Sequence, residues 1–147
     1  MDKINIGLIG LGSWGKNIAR NLNALGVLSK IFDHNTNEQN LKKFENSLIC
    51  KNINEIFEDK EIHAVVISSP ANTHKEIAVK AIQNNKHVFV EKPFCLSVKE
   101  AQEIIQQSKK FNKIIFVGHL LHYHNGFLKL KEEIANGLIG QVEIIKA

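Results

Sequence analysis

Ile4-Asn5-Ile6-Gly7-Leu8-Ile9-Gly10-Leu11-Gly12-Ser13-Trp14-Gly15 is the stretch on which the fold turns. Its first half, Ile4–Ile9, is a short and nearly continuous apolar run of the kind found in a strand buried on both faces. Its second half is a G-x-G-x-x-G turn, and an amphipathic pattern follows at once, with Ile18, Leu22 and Leu25 spaced i, i+4, i+7. A glycine turn between a strand and a helix is the context that gives this common pattern meaning. The first glycine permits the tight turn, the second removes a Cβ where backbone must approach a diphosphate, and the third lets helix and strand pack closely. The helix N-terminus then presents free N–H groups and a partial positive charge to an anion.

The same alternation continues outward along the chain. Val27–Phe32, Ala64–Ser68, His87–Val90 and Ile114–Val117 read as further strands, with a weaker candidate at Leu48–Cys50. Between them lie helical stripes, one carrying Ile77, Ala78, Ala81 and Ile82. Thr36 with Gln39, Thr73 with Glu76 and Ser97 with Glu100 fit the capping box, and Asn52 with Glu55 fits it more loosely. Regular βα alternation implies right-handed crossovers and an α/β fold, a doubly wound parallel sheet of the Rossmann type. Six strands and their helices are expected to complete that sheet by about Gly118, so residues 1–120 form one domain. Beyond it, Phe127, Leu130 and Ile134 predict a helix ending near Gly137, and Gln141–Ala147 reads as a strand. Residues 121–147 are therefore expected to be a linker helix and the first strand of a second α/β domain that the chain otherwise lacks.

The chain of 147 residues is 44% hydrophobic and 23% charged, which suits one sizeable core and excludes disordered, collagen-like and low-complexity classes. The net charge of +4 comes from 19 basic and 15 acidic residues spread along the chain, with Arg20 the lone arginine. That pattern argues against nucleic acid as a partner. No apolar run reaches the length of a membrane span, and MDKINIGLIG lacks the features of a signal peptide. Cys50 and Cys95 do not make a disulfide framework. A cytoplasmic location without a membrane partner is the expectation. Exposed apolar surface at Leu128, Leu130, Ile134 and Ile144 is expected to be covered by self-association into a homo-oligomer.

Asp33 ends the second strand, eighteen residues past Gly15, where such folds place an acid for an adenosine ribose. A charge-assisted hydrogen bond from the ribose is worth about 1.5–3 kcal/mol. The same charge repels a 2′-phosphate, so NAD is expected over NADP, and a protonated His34 would soften that preference. At the end of another strand stands Glu91-Lys92-Pro93. Neighbouring side chains of an extended segment point to opposite faces, so Glu91 and Lys92 are not expected to pair with each other. Ligands of doubly wound folds sit beyond the carboxyl ends of the strands, where Lys92 can meet a substrate. Spacing alone favours a snorkelling strand-end lysine. His119, His122 and His124 fit no zinc pattern, and no Cys or carboxylate stands near enough in sequence to complete a shell, so no metal is expected. Trp14 either covers the diphosphate or packs; from the sequence pattern His34, His63 and His87 are expected to be structural.

Gly10–Gly15 (GLGSWG), Asp33, residues 68–82 (SSPANTHKEIAVKAI) and residues 87–94 (HVFVEKPF), in that order, resemble the glucose–fructose oxidoreductase / inositol dehydrogenase / rhizopine-catabolism (Gfo/Idh/MocA) family. The resemblance runs from about Lys3 to the end. It implies an NAD(P)-dependent sugar or cyclitol oxidoreductase with a Rossmann domain followed by a second α/β domain. It maps the family's lysine at nicotinamide and substrate onto Lys92, and a cofactor lining onto Ser69, Pro70, Asn72, His74 and Glu91, beside Gly10, Leu11, Gly12, Ser13, Trp14, Gly15, Asp33 and His34. Residues 117–125 (VGHLLHYHN) and 128–147 look closest to the branch that oxidises UDP-N-acetylglucosamine-type nucleotide sugars at C3, although many relatives carry arginine at His122 and proline at Asn125. His122 also belongs to the expected cofactor lining, and Lys92, His122 and Tyr123 to the substrate site.

The implied reaction removes a hydroxyl proton of a sugar or nucleotide sugar as a hydride passes to the nicotinamide. A lysine acting as base near neutrality needs its pKa brought towards about 7–8. The resemblance also places a catalytic histidine and an acidic partner in the second domain, so the chain by itself is expected to have little activity. The alternative reading is a non-catalytic dinucleotide-binding module or regulatory subunit.

Overall fold

The computed structural model describes residues 4–35 and 49–145. Five parallel strands form one sheet in the order β2-β1-β3-β4-β5: β1 is Ile6–Ile9, β2 Leu28–Phe32, β3 Ala64–Ile67, β4 His87–Val90 and β5 Ile115–Val117. Reversal of the strand order between β1 and β3 opens a crevice at the carboxyl ends, the ligand position of a doubly wound fold. The helices are α1 (Ser13–Ala24), α2 (Asn54–Phe57), α3 (His74–Gln83), α4 (Val98–Phe111) and α5 (Asn125–Ala135).

The apolar strand runs are legible because both faces of the sheet are covered. On one side Leu8, Leu11, Ala19, Ile31 and Val66 pack together; on the other lie Ile9, Ile56, Val65, Ile67, Ala81, Ile82, Val90 and Ile104. Burying such side chains contributes about 1.5–3 kcal/mol each, and an uninterrupted apolar strand is the sequence mark of a sheet sandwiched in this way.

Several expected boundaries move, each for a hydrogen-bonding reason. Asn5 precedes β1 because its N–H donates to the His63 ring at 3.2 Å, and Ile114 precedes β5 because its N–H donates to the His87 ring at 3.0 Å. The weak candidate at Leu48–Cys50 is reduced, within the described residues, to one bridge between Ile31 and Ile49 and a bond from Cys50 N–H to Ile31 O at 2.7 Å. The sheet is thus five-stranded among the described residues, rather than six. The pair Thr36 and Gln39, Leu48, and the end of the last expected strand at Lys146 and Ala147 lie outside the described residues.

Of the capping boxes, Ser97 caps α4 by accepting from Glu100 N–H at 3.2 Å, while Glu100 reaches back to Leu96 N–H. Glu55 accepts from Asn52 N–H at 2.8 Å in the same manner. Thr73 does not cap α3. Its hydroxyl donates to Pro70 O at 2.7 Å and lies 2.7 Å from Ser69 Oγ, so it is committed to the turn before the helix. Leu25, expected on the buried stripe of α1, is exposed at the helix end, and Ala19 is buried in its place.

Gln141–Ile145 carries no strand, contrary to expectation, and is exposed throughout. A strand needs a neighbour to satisfy its N–H and C=O groups, and none faces this segment among the described residues. Leu128, Leu130 and Ile144 are exposed as expected, whereas Ile134 is half-buried. No helix among the described residues is long and apolar enough to cross a membrane.

Candidate functional site

The glycine turn joins β1 to α1 with each glycine under a different constraint. Gly10 has φ +97°, and a Cβ there would lie 2.6 Å from the Ser68 and Ser69 backbone. A Cβ at Gly15 would lie 2.2 Å from Gly10 O, so α1 packs on the turn only with glycine there. Gly12 differs: it stands at the N-cap of α1, exposed, and a Cβ would meet nothing within 4 Å. The helix end behind it has no side-chain cap and no acidic residue in its first turn. Space in front of an uncapped positive helix terminus fits a diphosphate. Ser13 is exposed at the start of α1, while Leu11 turns its side chain into the core and leaves its amide at the turn.

Asp33 follows β2 and is half-buried. Its Oδ2 accepts from Leu11 N–H at 2.5 Å and its Oδ1 from Asn35 N–H at 2.8 Å, which fixes the carboxylate beside the turn. That position and charge fit an adenosine ribose. His34 is exposed next to it.

The opposite wall is built on the ends of β3 and β4. Ser68 donates to Gly10 O at 2.7 Å and so braces the turn from the neighbouring strand. Ser69 is half-buried, and Pro70 and Asn72 are exposed on the tight turn Ala71–Thr73 and its approach. Lys92 is exposed and joined to Pro93 by a cis bond. Glu91 is 7% exposed and turned inward, so it does not pair with Lys92, in line with the strand geometry. Its Oε1 accepts from Trp14 Nε1–H at 2.8 Å, and its Oε2 from Lys92 N–H at 3.3 Å. Trp14, 47% exposed, is therefore a bridge between the glycine turn and the Glu91-Lys92 strand end.

The His74 ring, expected along the cofactor, is 1% exposed with both nitrogens engaged: Nδ1 lies 2.8 Å from Pro93 O and Nε2 2.8 Å from Ser69 O. The ring clips together the two loops that flank the crevice from behind. His122 and Tyr123 sit on the exposed turn Leu120–Tyr123. The His122 ring packs edge-on to Phe127 at 6.1 Å and lies 6.1 Å from His119; Tyr123 ends a row of rings running through Phe116 to Phe89. Among the described residues, no group of three or more His, Cys, Asp or Glu is arranged to hold a metal.

Ser68 and Gly118 were not singled out from the sequence. A Cβ at Gly118 would lie 3.0 Å from the Phe89 ring and 3.1 Å from Glu91 Oε1, so a residue without a side chain leaves Glu91 its room. Ser68 had a usable signal: it follows β3 at the level where Gly10 follows β1, since Ile9 pairs with Ile67.

Comparison with known proteins agrees with this geometry. Residues 4–119 match the Gfo/Idh/MocA family model, described as an oxidoreductase family with an NAD-binding Rossmann fold. The chain is 34% identical over 149 aligned positions to myo-inositol 2-dehydrogenase of Thermotoga maritima, covering 97% of this chain and 44% of that protein. Among solved structures, an NAD-binding protein from Listeria innocua superposes with a TM-score of 0.85 at 25% identity, covering 95% of this chain and 42% of that one. UDP-N-acetylglucosamine 3-dehydrogenase from Acidithiobacillus ferrooxidans superposes with a TM-score of 0.80 at 26% identity, over 90% of this chain and 43% of that one. The chain thus spans less than half the length of these relatives. With its glycine turn, strand-end acid and strand-end lysine carried on a matching sheet, it belongs to the Gfo/Idh/MocA oxidoreductase family as an NAD-binding Rossmann domain.

Proposed function

We propose that this domain binds NAD, in preference to NADP, across the carboxyl ends of β1, β2 and β4, and serves the oxidation of a hydroxyl on a sugar or nucleotide sugar. The observation that carries this reading is the convergence of three groups on one crevice. The open, uncapped start of α1 takes the diphosphate, Asp33 takes the adenosine ribose, and Lys92 stands at the strand end tied to the turn through Trp14 and Glu91. When bound, NAD supplies the hydride acceptor.

The chain's own residues supply positioning and a proton route. The Leu11 N–H to Asp33 bond keeps the carboxylate at a fixed distance from the turn, so two anchor points for one dinucleotide stay in register. Glu91, buried and held by the Trp14 indole, accepts from the Lys92 amide and directs that residue's side chain away from itself. Lys92 Nζ then receives the hydroxyl proton of the substrate, with Tyr123 and His122 on the neighbouring turn as further substrate contacts.

A UDP-N-acetylhexosamine 3-dehydrogenase type of reaction is the leading substrate reading. It is supported by the likeness to a UDP-N-acetylglucosamine 3-dehydrogenase and by the resemblance of residues 117–147 to that branch. Because the relatives are more than twice as long, residues outside this chain are proposed to complete the substrate site, and the chain alone is expected to turn over poorly.

The test is a panel of UDP-sugars and inositols with NAD, followed by reduced-cofactor absorbance, using the chain alone and joined to its downstream coding sequence. Lys92→Ala should abolish turnover in the extended protein and leave NAD binding within about twofold. Turnover retained in Lys92→Ala rejects the role of the lysine. NAD binding without any turnover in the extended protein favours a binding module instead.

A further inference from the structure

The amino ends of β3, β4 and β5, opposite the proposed cofactor crevice, carry a second concave site. His63 directly precedes β3, Lys86 precedes His87, which opens β4, and Lys113 stands two residues before β5. Parallel pairing brings them level: Ala64 pairs with His87, Val88 pairs with Ile115, and His87 N–H donates to His63 O at 3.0 Å. They line a cleft of about 570 Å3 together with Lys60, Glu58, Asn84 and Asn85, over an apolar floor of Phe57 and Ile62. That volume lies within the range of small-molecule sites, roughly 300–1,000 Å3. Strands of four residues put this cleft roughly 13 Å from the opposite end of the sheet.

Two histidines at the cleft are held as donors. His63 Nδ1 accepts from Asn5 N–H at 3.2 Å, and His87 Nδ1 accepts from Ile114 N–H at 3.0 Å. With Nδ1 used as an acceptor, each ring carries its proton on Nε2, so both histidines offer an N–H. Lys60 and Lys113 are the lining lysines with accessible side chains, and Glu58 is the one carboxylate in the lining. Asp59 is taken by Lys30 at 2.9 Å, and its main-chain oxygen by Lys86. Lys86 is only 4% exposed. Burial first, then repulsion from Lys113 and His63, holds the His87 ring below the usual histidine range; burial also lowers Lys86, with Asp59 opposing and repulsion from Lys113 adding to the effect. An anion in the cleft relieves that repulsion and accepts from the exposed donors at once.

We infer that the cleft at the amino ends of β3, β4 and β5 is a second ligand site, one for a small phosphate monoester, with Lys113, His87 and His63 gripping the phosphate. The site is separate from the glycine turn and independent of which substrate the crevice takes.

The test is an NMR titration of the isotopically labelled chain with inorganic phosphate at constant ionic strength, read at two places. The imidazole resonances of His63 and His87 report this cleft, and the amides of Gly12 to Gly15 report the turn. A saturable shift of both imidazoles, absent with chloride, and an upward move of the His87 titration midpoint in the complex are expected. Lys113→Gln should weaken the imidazole response at least tenfold and leave the response of the Gly12–Gly15 amides unchanged. Imidazole shifts that fail to saturate, that persist unchanged in Lys113→Gln, or that are absent while the amides respond would overturn the assignment. A native amide spectrum of Lys113→Gln checks that the variant is folded.

Discussion

Alanine at Gly12 and alanine at Gly15 should fail in opposite ways, although the two glycines belong to one turn. At Gly12 the backbone has φ −62° and ψ −171°, open to any residue, and a Cβ meets nothing within 4 Å. Alanine reduces the entropy of the unfolded chain, worth about 0.4–1 kcal/mol, and is a poorer N-cap than glycine by a similar amount. The net effect on stability should stay within about 0.5 kcal/mol. The methyl group does occupy the space in front of the α1 amides, so NAD affinity should fall at least about tenfold, or 1.4 kcal/mol.

At Gly15 the Cβ would stand 2.2 Å from Gly10 O and 2.8 Å from Ser68 Oγ. The obstacle is backbone, so α1 must move off β1, at an overpacking cost of about 1–3 kcal/mol. For a domain of this size that lowers Tm by roughly 3–9 °C. Calorimetry and NAD titration of both variants decide the matter. A Gly12→Ala protein as unstable as Gly15→Ala, or one that binds NAD like the parent, would refute the assignment of roles within the turn.

Other consequences are equally direct. His74→Ala removes a buried ring and strands the carbonyls of Ser69 and Pro93, so it should cost about 3–5 kcal/mol, while His34→Ala on the exposed side changes stability by less than about 0.5 kcal/mol; equal melting curves would contradict this. Burial pushes the Cys50 thiol up to about 11, with Glu55 adding to it, so a thiol reagent at pH 8 should label the half-buried Cys95 first and Cys50 only on unfolding. Labelling of Cys50 in the native protein at the rate of Cys95 would show the thiol is not shielded.

The Lys30–Asp59 pair should shape the acid limb of stability. The hydrogen bond from Lys30 holds Asp59 below the usual carboxylate range against the opposing effect of burial, and Lys30 is raised by the same bond. A depressed acid contributes above its unfolded pKa and loses that contribution as pH falls through the folded value. The gain is therefore present at neutral pH and vanishes below about pH 4. With both side chains partly exposed it amounts to about 0.2–1 kcal/mol. Chemical denaturation of Asp59→Asn across that range should show a flatter acid limb; an unchanged slope would deny the pair any part in it.

What the sequence made legible was local. The glycine turn, the strand-end acid and the strand-end lysine each lie next to an apolar run whose burial fixes where the run ends, so their places at the carboxyl edge follow from the alternation itself. The capping box of Ser97 and Glu100 is likewise closed within four residues. What stayed hidden depends on pairs far apart in the chain. Trp14 and Glu91 are 77 residues apart, and nothing near either marks the bond between them. His74 looked like a polar residue at a helix start, and only the fold brings Pro93 O against its ring. Thr73 matched a cap by spacing, yet its hydroxyl had a closer acceptor in the preceding turn. The histidines at the amino edge were read as structural, and each does accept a backbone N–H; their alignment into a donor-lined cleft appears only once the strands are paired in register.

The proposed crevice grips a dinucleotide by its diphosphate and its unmodified adenosine ribose. Isothermal titration of NAD into the chain, beside Asp33→Asn, tests it most directly. The variant keeps an acceptor for Leu11 N–H but loses the charge proposed to meet the ribose hydroxyls. One site per chain for NAD, weaker binding of NADP, and a loss of about tenfold or more in NAD affinity for the variant are expected. No heat of binding at millimolar NAD from the folded parent protein, or identical isotherms for parent and variant, would contradict it.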